Sequence, residues 1–236
     1  MKRTFLLTAV MLFALISTQA QSLESVLDNY YKASGLEKLA DVKTFDIKAK
    51  MSMMGMDMPM TIKIKKPNKF RVDVEMMGQK TTSAFDGEKG WMVNPMMGSG
   101  VQDLEGAQLK QAMSQADMEG ELFNYAAKGH SIEMQGKVDV DGTDAYKLKL
   151  TDKDGMVKTY FIDADTYMVN RVEARVEAMG QSMDIVTKML EYKDVKGVKV
   201  ANRIEVEMPM GKQSMIMEEI KVDENIDDAV FSRPAN

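Results

Sequence analysis

The sequence predicts a mainly β protein: an incomplete, strongly curved antiparallel barrel of about a dozen strands, covered by an N-terminal helix and a lid helix. Three observations predict it. Across residues 44–76, three successive runs alternate apolar and polar side chains with a period of two, as strands with one wet and one dry face do. The runs that follow are punctuated by turn pairs such as Asp86-Gly87, Asp141-Gly142, Asp154-Gly155 and Lys196-Gly197, the mark of strands joined by hairpins. Two stretches carry a helical period instead.

The first helix starts at Ser22, a natural cap, and repeats Leu23, Val26, Leu27 and Tyr30 on one face; Gly35 stops it and residues 36–42 continue briefly. The three alternating runs come next. Phe45, Ile47, Ala49, Met51 and Met53 alternate with Asp46, Lys48, Lys50 and Ser52. Beyond a turn at Gly55 and Asp57, Met58, Met60, Ile62 and Ile64 oppose Thr61, Lys63 and Lys65; beyond Pro67-Asn68, Phe70, Val72, Val74 and Met76 oppose Arg71, Asp73 and Glu75. Further strands are expected at 79–85, 90–94, 131–138, 144–151, 156–162, 168–178, 182–192, 198–208 and 213–222. The second helix is expected over 103–118, where Leu109, Ala112, Met113 and Ala116 share a face. Met-Gly pairs recur at 54–55, 77–78, 97–98, 179–180 and 210–211, at separations too irregular for a solenoid, and mark hairpin tips.

The N-terminus reads as an export signal. Lys2 and Arg3 precede an apolar run over 5–16, and Thr18 and Ala20 occupy the small-residue positions before a cut at Gln21. Residues 1–20 are therefore expected to be removed, leaving 21–236 as one soluble, exported domain, with no Pro/Ser-rich linker to divide it. Loss of Lys2 and Arg3 moves the formal charge two units below the −5 of the full chain. With Lys and Arg dispersed among the strands, a nucleic-acid partner is not expected. Cysteine is absent and methionine abounds, 25 in all. A single histidine, His130, and the absence of a Gly-x-Ser-x-Gly elbow or zinc spacing leave no basis for an enzyme. The aspartates around Gly142 and Gly155 lack calcium-loop spacing and read as hairpin turns. Arg171 and Arg175, alternating with Glu173 and Glu177, read as an outer charge ladder protecting a sheet edge.

The run Lys66-Pro67-Asn68-Lys69-Phe70-Arg71, followed by Phe85-Asp86-Gly87, Trp91 and Asn94-Pro95, resembles the LolA-like family of periplasmic lipoprotein carriers. The closing Ile226-Asp227-Asp228-Ala229-Val230-Phe231, with Pro234 beyond it, is similar to that family's tail. The resemblance implies a curved open barrel with helical lids, whose apolar interior shields the acyl chains of a lipoprotein. It implies no cofactor, and as partners a lipid or acylated-lipoprotein cargo, an inner-membrane ABC-type release complex and an outer-membrane acceptor.

On this reading Met51, Met53, Met58, Met60, Ile62, Phe70, Val72, Val74, Trp91 and Met92 line a pocket, and Leu109, Met113 and Ala116 face it from the lid. Methionine suits the task because an unbranched, polarizable side chain repacks around cargoes of different shape. The alternative is a Cu(I) or Ag(I) site in the tract 51–60, since soft ions choose thioethers. The strand period commits Met51, Met53, Met58 and Met60 to the apolar face, leaving Met54 and Met56 as candidate ligands. A core simply built with methionine, and a methionine surface consumed by oxidants, use the same residues.

Overall fold

The computed structural model describes residues 21–98, 100–178, 181–209 and 211–235. The expected signal peptide and cleavage site lie outside them. Helix α1, Leu23–Ser34, is capped by the Ser22 hydroxyl, which accepts from the Ser25 amide at 3.2 Å, and ends at Gly35 in the left-handed region (φ 72°). Only glycine fits there: a Cβ on Gly35 would stand 2.0 Å from the Gly197 carbonyl oxygen. The expected continuation shrinks to one turn, α2, Leu36–Leu39.

Thirteen strands follow: β1 (Thr44–Met53), β2 (Met56–Lys65), β3 (Lys69–Met76), β4 (Gln79–Phe85), β5 (Gly90–Val93), β6 (Val101–Asp103), β7 (Ser131–Val140), β8 (Thr143–Thr151), β9 (Val157–Asp163), β10 (Val169–Ala178), β11 (Gln181–Val195), β12 (Val198–Met208) and β13 (Gly211–Val222). They form one antiparallel sheet in the order β6-β5-β4-β3-β2-β1-β13-β12-β11-β10-β9-β8-β7, curled but not closed. Joining β1 to β13 puts the N-terminal hairpins and the C-terminal ones in one surface. Helix α3, Gly106–Ala116, is shorter than expected, because residues 101–103 extend the sheet as β6 beside β5.

Three buried clusters hold the helices to the concave face. Leu36, Leu39 and Val42 pack with Phe45, Ile47, Val198 and Val222 beside α2. Val26 and Leu27 of α1 pack on Leu148, Leu150, Ile162 and Val169. Ala112 and Ala116 of α3 pack with Phe70, Phe85 and Leu104. Gly90 permits the close seat of this last group, since a Cβ there would come within 3.0 Å of Leu104 and 3.1 Å of Leu109. A salt bridge from Lys110 of α3 to Asp154 in the β8–β9 turn, at 2.9 Å, ties one flank of the curl to the other.

Because every pairing is antiparallel, the hairpin turns alternate between two ends of the sheet. The β1–β2, β3–β4, β5–β6, β8–β9, β10–β11 and β12–β13 connections share the upper end. The turns at Lys66-Pro67-Asn68, Asp86–Lys89, Asp141-Gly142, 164–168 and Lys196-Gly197 share the lower one. The Lys66-Pro67 peptide is cis.

The C-terminal tail turns back over the convex face at the lower end. Lys65 donates to the Ile226 carbonyl (2.6 Å), Arg71 to the Val230 carbonyl (2.7 Å) and the Trp91 indole to the Phe231 carbonyl (2.8 Å). Lys65 and Lys69 clasp Asp228 at 2.7 and 2.9 Å, and Arg233 reaches Asp103 at 2.8 Å. Phe231 is fully buried. The Arg171, Glu173 and Arg175 ladder also lies on the convex face. It sits on β10, an interior strand rather than an edge, and is paired both along and across the sheet: Arg171 with Glu173 at 2.7 Å and Asp141 at 3.9 Å, and Arg175 with Asp184 at 2.7 Å.

Candidate functional site

Directly opposed residues of an antiparallel pair point to the same face, so the register sorts every side chain. On the concave face the lowest rung is Val222, Phe45, Ile64, Phe70 and Phe85, and the next is Ile220, Ile47, Ile62, Val72, Ser83 and Met92. Above them come Met217, Ala49, Met60 and Val74, then Ile204, Met215, Met51 and Met58, then Val206, Gln213, Met53 and Met56. Burial falls along this series. Phe45, Phe70 and Phe85 are buried beneath α2 and α3, whereas Met51, Met53, Met60 and Val74 are half-buried and Met56 is exposed.

The helices leave the upper part of this face uncovered. Met51, Met53, Val74 and Met76 on one flank, with Val176, Met183, Ile185, Val206 and Met208 on the other, are all half-buried and belong to none of the three clusters. Their strands set them on the same concave surface, since Val206 opposes Thr187 and Thr187 opposes Val172, which packs on the α1 cluster. The result is an apolar trough, floored by thioether and aliphatic side chains and open at its upper end. Among the described methionines of this face, Met58 and Met217 are buried, at 3% and 6% exposure. Two clefts elsewhere on the sheet measure about 130 and 290 Å³. The first is lined by Lys48, Pro59, Thr61, Asp73 and Glu75, the second at the rim by Ser52, Met53, Met54, Glu205 and Lys212, so neither is an enclosed apolar cavity.

Two expected pocket residues lie elsewhere. Trp91 opposes Ala84, which opposes Arg71, so the indole is on the convex face. There it is buried under the tail with the Arg71 guanidinium 5.7 Å from its ring centre. The two-residue step from Gly90 to Met92 carries the concave parity past it. Met113 is 43% exposed, because α3 turns Ala112 and Ala116 to the sheet and two small residues let it settle closely, leaving Met113 outside. Leu109 and Ala116 do face the sheet, but they pack with Ile62, Phe70, Val72 and Met92 into the core under α3, not into the open trough. Met54 stands at the β1–β2 tip and Met56 opposes Met53; among the described residues no group of His, Cys, Asp or Glu could hold a metal ion. His130 precedes β7 and its Nδ1 accepts from the Lys153 amide at 3.1 Å.

The sequence reading also misses a polar tie inside the curl. Lys158 opposes Leu150 and Ala174 and so points into the concave face, where it meets Glu121 of the loop after α3 at 2.5 Å. The Tyr160 hydroxyl donates to the other Glu121 oxygen at 2.7 Å, and the Tyr31 hydroxyl donates to the Leu122 carbonyl at 2.7 Å. Burial, with the Glu121 charge behind it, pushes the Tyr160 hydroxyl well above the usual tyrosine range; burial also raises Tyr30 to about 12. One signal was available: Lys158 shares the dry parity of Tyr160 and Ile162, where a lone charge needs a buried partner.

No protein-family model and no curated protein matches the chain. Solved structures do. A LolA superfamily protein of Nitrosomonas europaea superposes with a TM-score of 0.61 at 14% identity, over 91% of this chain and 99% of that one. A domain described as an outer membrane lipoprotein-sorting protein, from Vibrio parahaemolyticus, gives 0.60 at 12%, over 89% and 97%. A DUF1329 family protein of Desulfovibrio piger gives 0.57 at 16%, over 88% and 97%. At these identities the likeness is one of fold. The chain has the LolA-like fold.

Proposed function

We propose that the protein is an exported, non-enzymatic carrier that holds the acyl chains of a lipoprotein or other lipid against its Met-rich concave face during transfer towards the outer membrane. The observation that carries this is the uncovered apolar trough, a surface that an ordinary globular core would close. Support comes from the fold, shared with a protein described as sorting outer-membrane lipoproteins. Each buried CH₂ is worth about 0.8 kcal/mol, so one long acyl chain represents on the order of 10 kcal/mol that the trough must match without trapping its cargo. Half-buried methionines meet both demands, since they fill the empty trough and repack around a chain. Loading and release then belong to membrane partners, an ABC-type complex on the inner side and an acceptor on the outer. Cleavage before Gln21 delivers the domain 21–236 to the periplasm.

Native mass spectrometry of the mature protein, exported and purified without detergent, tests the reading. A co-purifying acyl mass is expected, and Met53→Asp with Met76→Asp should abolish it while circular dichroism stays unchanged, because both side chains are already partly in water. An empty wild-type protein that takes up stoichiometric copper(I), and loses it in Met54→Leu/Met56→Leu, would replace the carrier with the soft-metal reading.

A further inference from the structure

The hairpin turns of the two ends differ in kind. Every lower turn carries charge: Lys66, Asp86 with Glu88 and Lys89, Asp141, Asp165, and Lys196. At the upper end, residues 53–56, 76–79 and 94–98 contain no charged side chain, and each presents methionine to solvent. Met77 is 81% exposed, Met54 73% and Met97 68%, with Met96, Met56 and Met156 also exposed. The sequence places Met179-Gly180 and Met210-Gly211 in two more connections at this end; residues 179, 180 and 210 lie outside the described ones. The β8–β9 turn is the exception, holding Asp152, an exposed Lys153 and Asp154, the last paired with Lys110.

Exposed methionine buries little apolar surface and so adds little to folding stability. We infer that this methionine rim is a docking surface for the hydrocarbon edge of a lipid bilayer, through which cargo enters and leaves the trough. The inference rests on the carrier reading and names the surface on which it acts.

Three features select a bilayer over a folded partner. First, alternate hairpins of a sheet stand about 10 Å apart, two interstrand spacings, so the tips offer separate apolar points rather than the contiguous packed patch that a protein interface centres on. A fluid phase accepts separate points; a protein surface would need a pocket for each. Second, the tips at 53–56, 76–79 and 94–98 carry no charge to desolvate, whereas any lower turn would take a carboxylate or ammonium with it. Third, the rim is continuous with the trough. Met53 and Met56 form the top rung of the concave face, and Met76 ends β3 beside Met77. A chain sliding upward along that face stays in apolar contact until it reaches hydrocarbon. The net negative charge of the protein opposes anionic headgroups, so contact is shallow and brief, as a carrier requires.

The test uses the full mature chain and sedimentation with vesicles of phosphatidylethanolamine and phosphatidylglycerol, and separately of phosphatidylcholine alone. Wild type should partition onto both, with binding undiminished by salt. Met54→Ser/Met77→Ser/Met97→Ser should reduce partitioning about tenfold or more, since each loses an inserted apolar group. The same preparations are scored for co-purifying lipid by native mass spectrometry. Lipid retained in the triple variant with vesicle binding lost supports the inference. Vesicle binding that is absent in wild type, unchanged in the triple variant, or abolished by salt overturns it and leaves the carrier reading standing. A wild-type dimer in solution that the triple variant dissociates also overturns it, and assigns the rim to a second copy. A protein free of lipid that still docks through the rim removes the carrier reading alone.

Discussion

On β1–β4 the lower and upper parts of the concave face are built from the same strands and the same alternation, yet only the lower part lies under a helix. Below, Phe45, Phe70 and Phe85 carry α2 and α3 on top of them, the tail straps the convex side, and the turns are charged. Above, Met51, Met53, Val74 and Met76 at the matching positions belong to none of the buried clusters, and the β1–β2 and β3–β4 tips are Met-Gly. Apolar alternation in a sequence thus specifies a dry face without specifying what dries it. Whether it becomes core or binding surface depends on whether a helix reaches that rung.

The contrast makes unequal demands on substitutions. Phe70→Ala should cost about 3–5 kcal/mol in urea unfolding, the usual range for an aromatic lost from a packed core. Val74→Ala, two rungs up the same strand, should cost well under half as much and show itself instead as weakened lipid retention. Equal losses would erase the distinction between the ends.

High pH probes the covered region next. Burial lifts Tyr30 and Tyr31 from 10.0 to about 12, so in the folded state both stay neutral while an unfolded chain would ionise. Their contribution is fully present below pH 10 and is lost as pH rises towards 12. Unfolding midpoints should therefore fall across that window, with tyrosinate absorbance rising in step. A smooth titration centred on pH 10 with no loss of stability would mean that α1 does not seal its side of the sheet.

The smallest expected effect is at low pH, on the strap. Hydrogen bonds from Lys65 and then Lys69 hold the Asp228 carboxyl below the ordinary range. Its clasp is complete above about pH 4 and loosens as pH falls through the depressed value. Trp91, the single tryptophan, lies beneath the adjoining Phe231 and reports the loosening. Its emission should hold constant from neutral pH to about 5 and shift red only below 4. A shift already complete at pH 5 would show that Asp228 does not fasten the tail.

Much of this architecture was legible in the chain. Period-two alternation located the strands to within a few residues, and Gly35, Asp86-Gly87 and Lys196-Gly197 marked the boundaries because their backbones need those residue types. The concave face from Met51 to Val74 follows from parity alone. Trp91 was misplaced because a large amphipathic ring suits a cavity wall as well as a tail-covered outer face, and only the register beyond the β4–β5 turn separates them. Met113 was misplaced because helical period gives a face but not its centre, which the small Ala112 and Ala116 decide by close packing. The three residues of β6 are too few to show any period. The tail's contacts with Lys65, Arg71 and Trp91 span well over a hundred positions and leave no local trace.

A sheet that stops short of closing keeps two free borders, and free borders invite other chains to add strands. Both are blunted. The β6 border is three residues long, and Arg233 from the tail donates to its Val101 carbonyl at 3.3 Å. The β7 border is broken by a bulge between Met134 and Lys137, with Gly136 at φ 95°, and carries Glu133, Lys137 and Asp139. The curl can therefore stay open without offering its own backbone as a template for polymerisation.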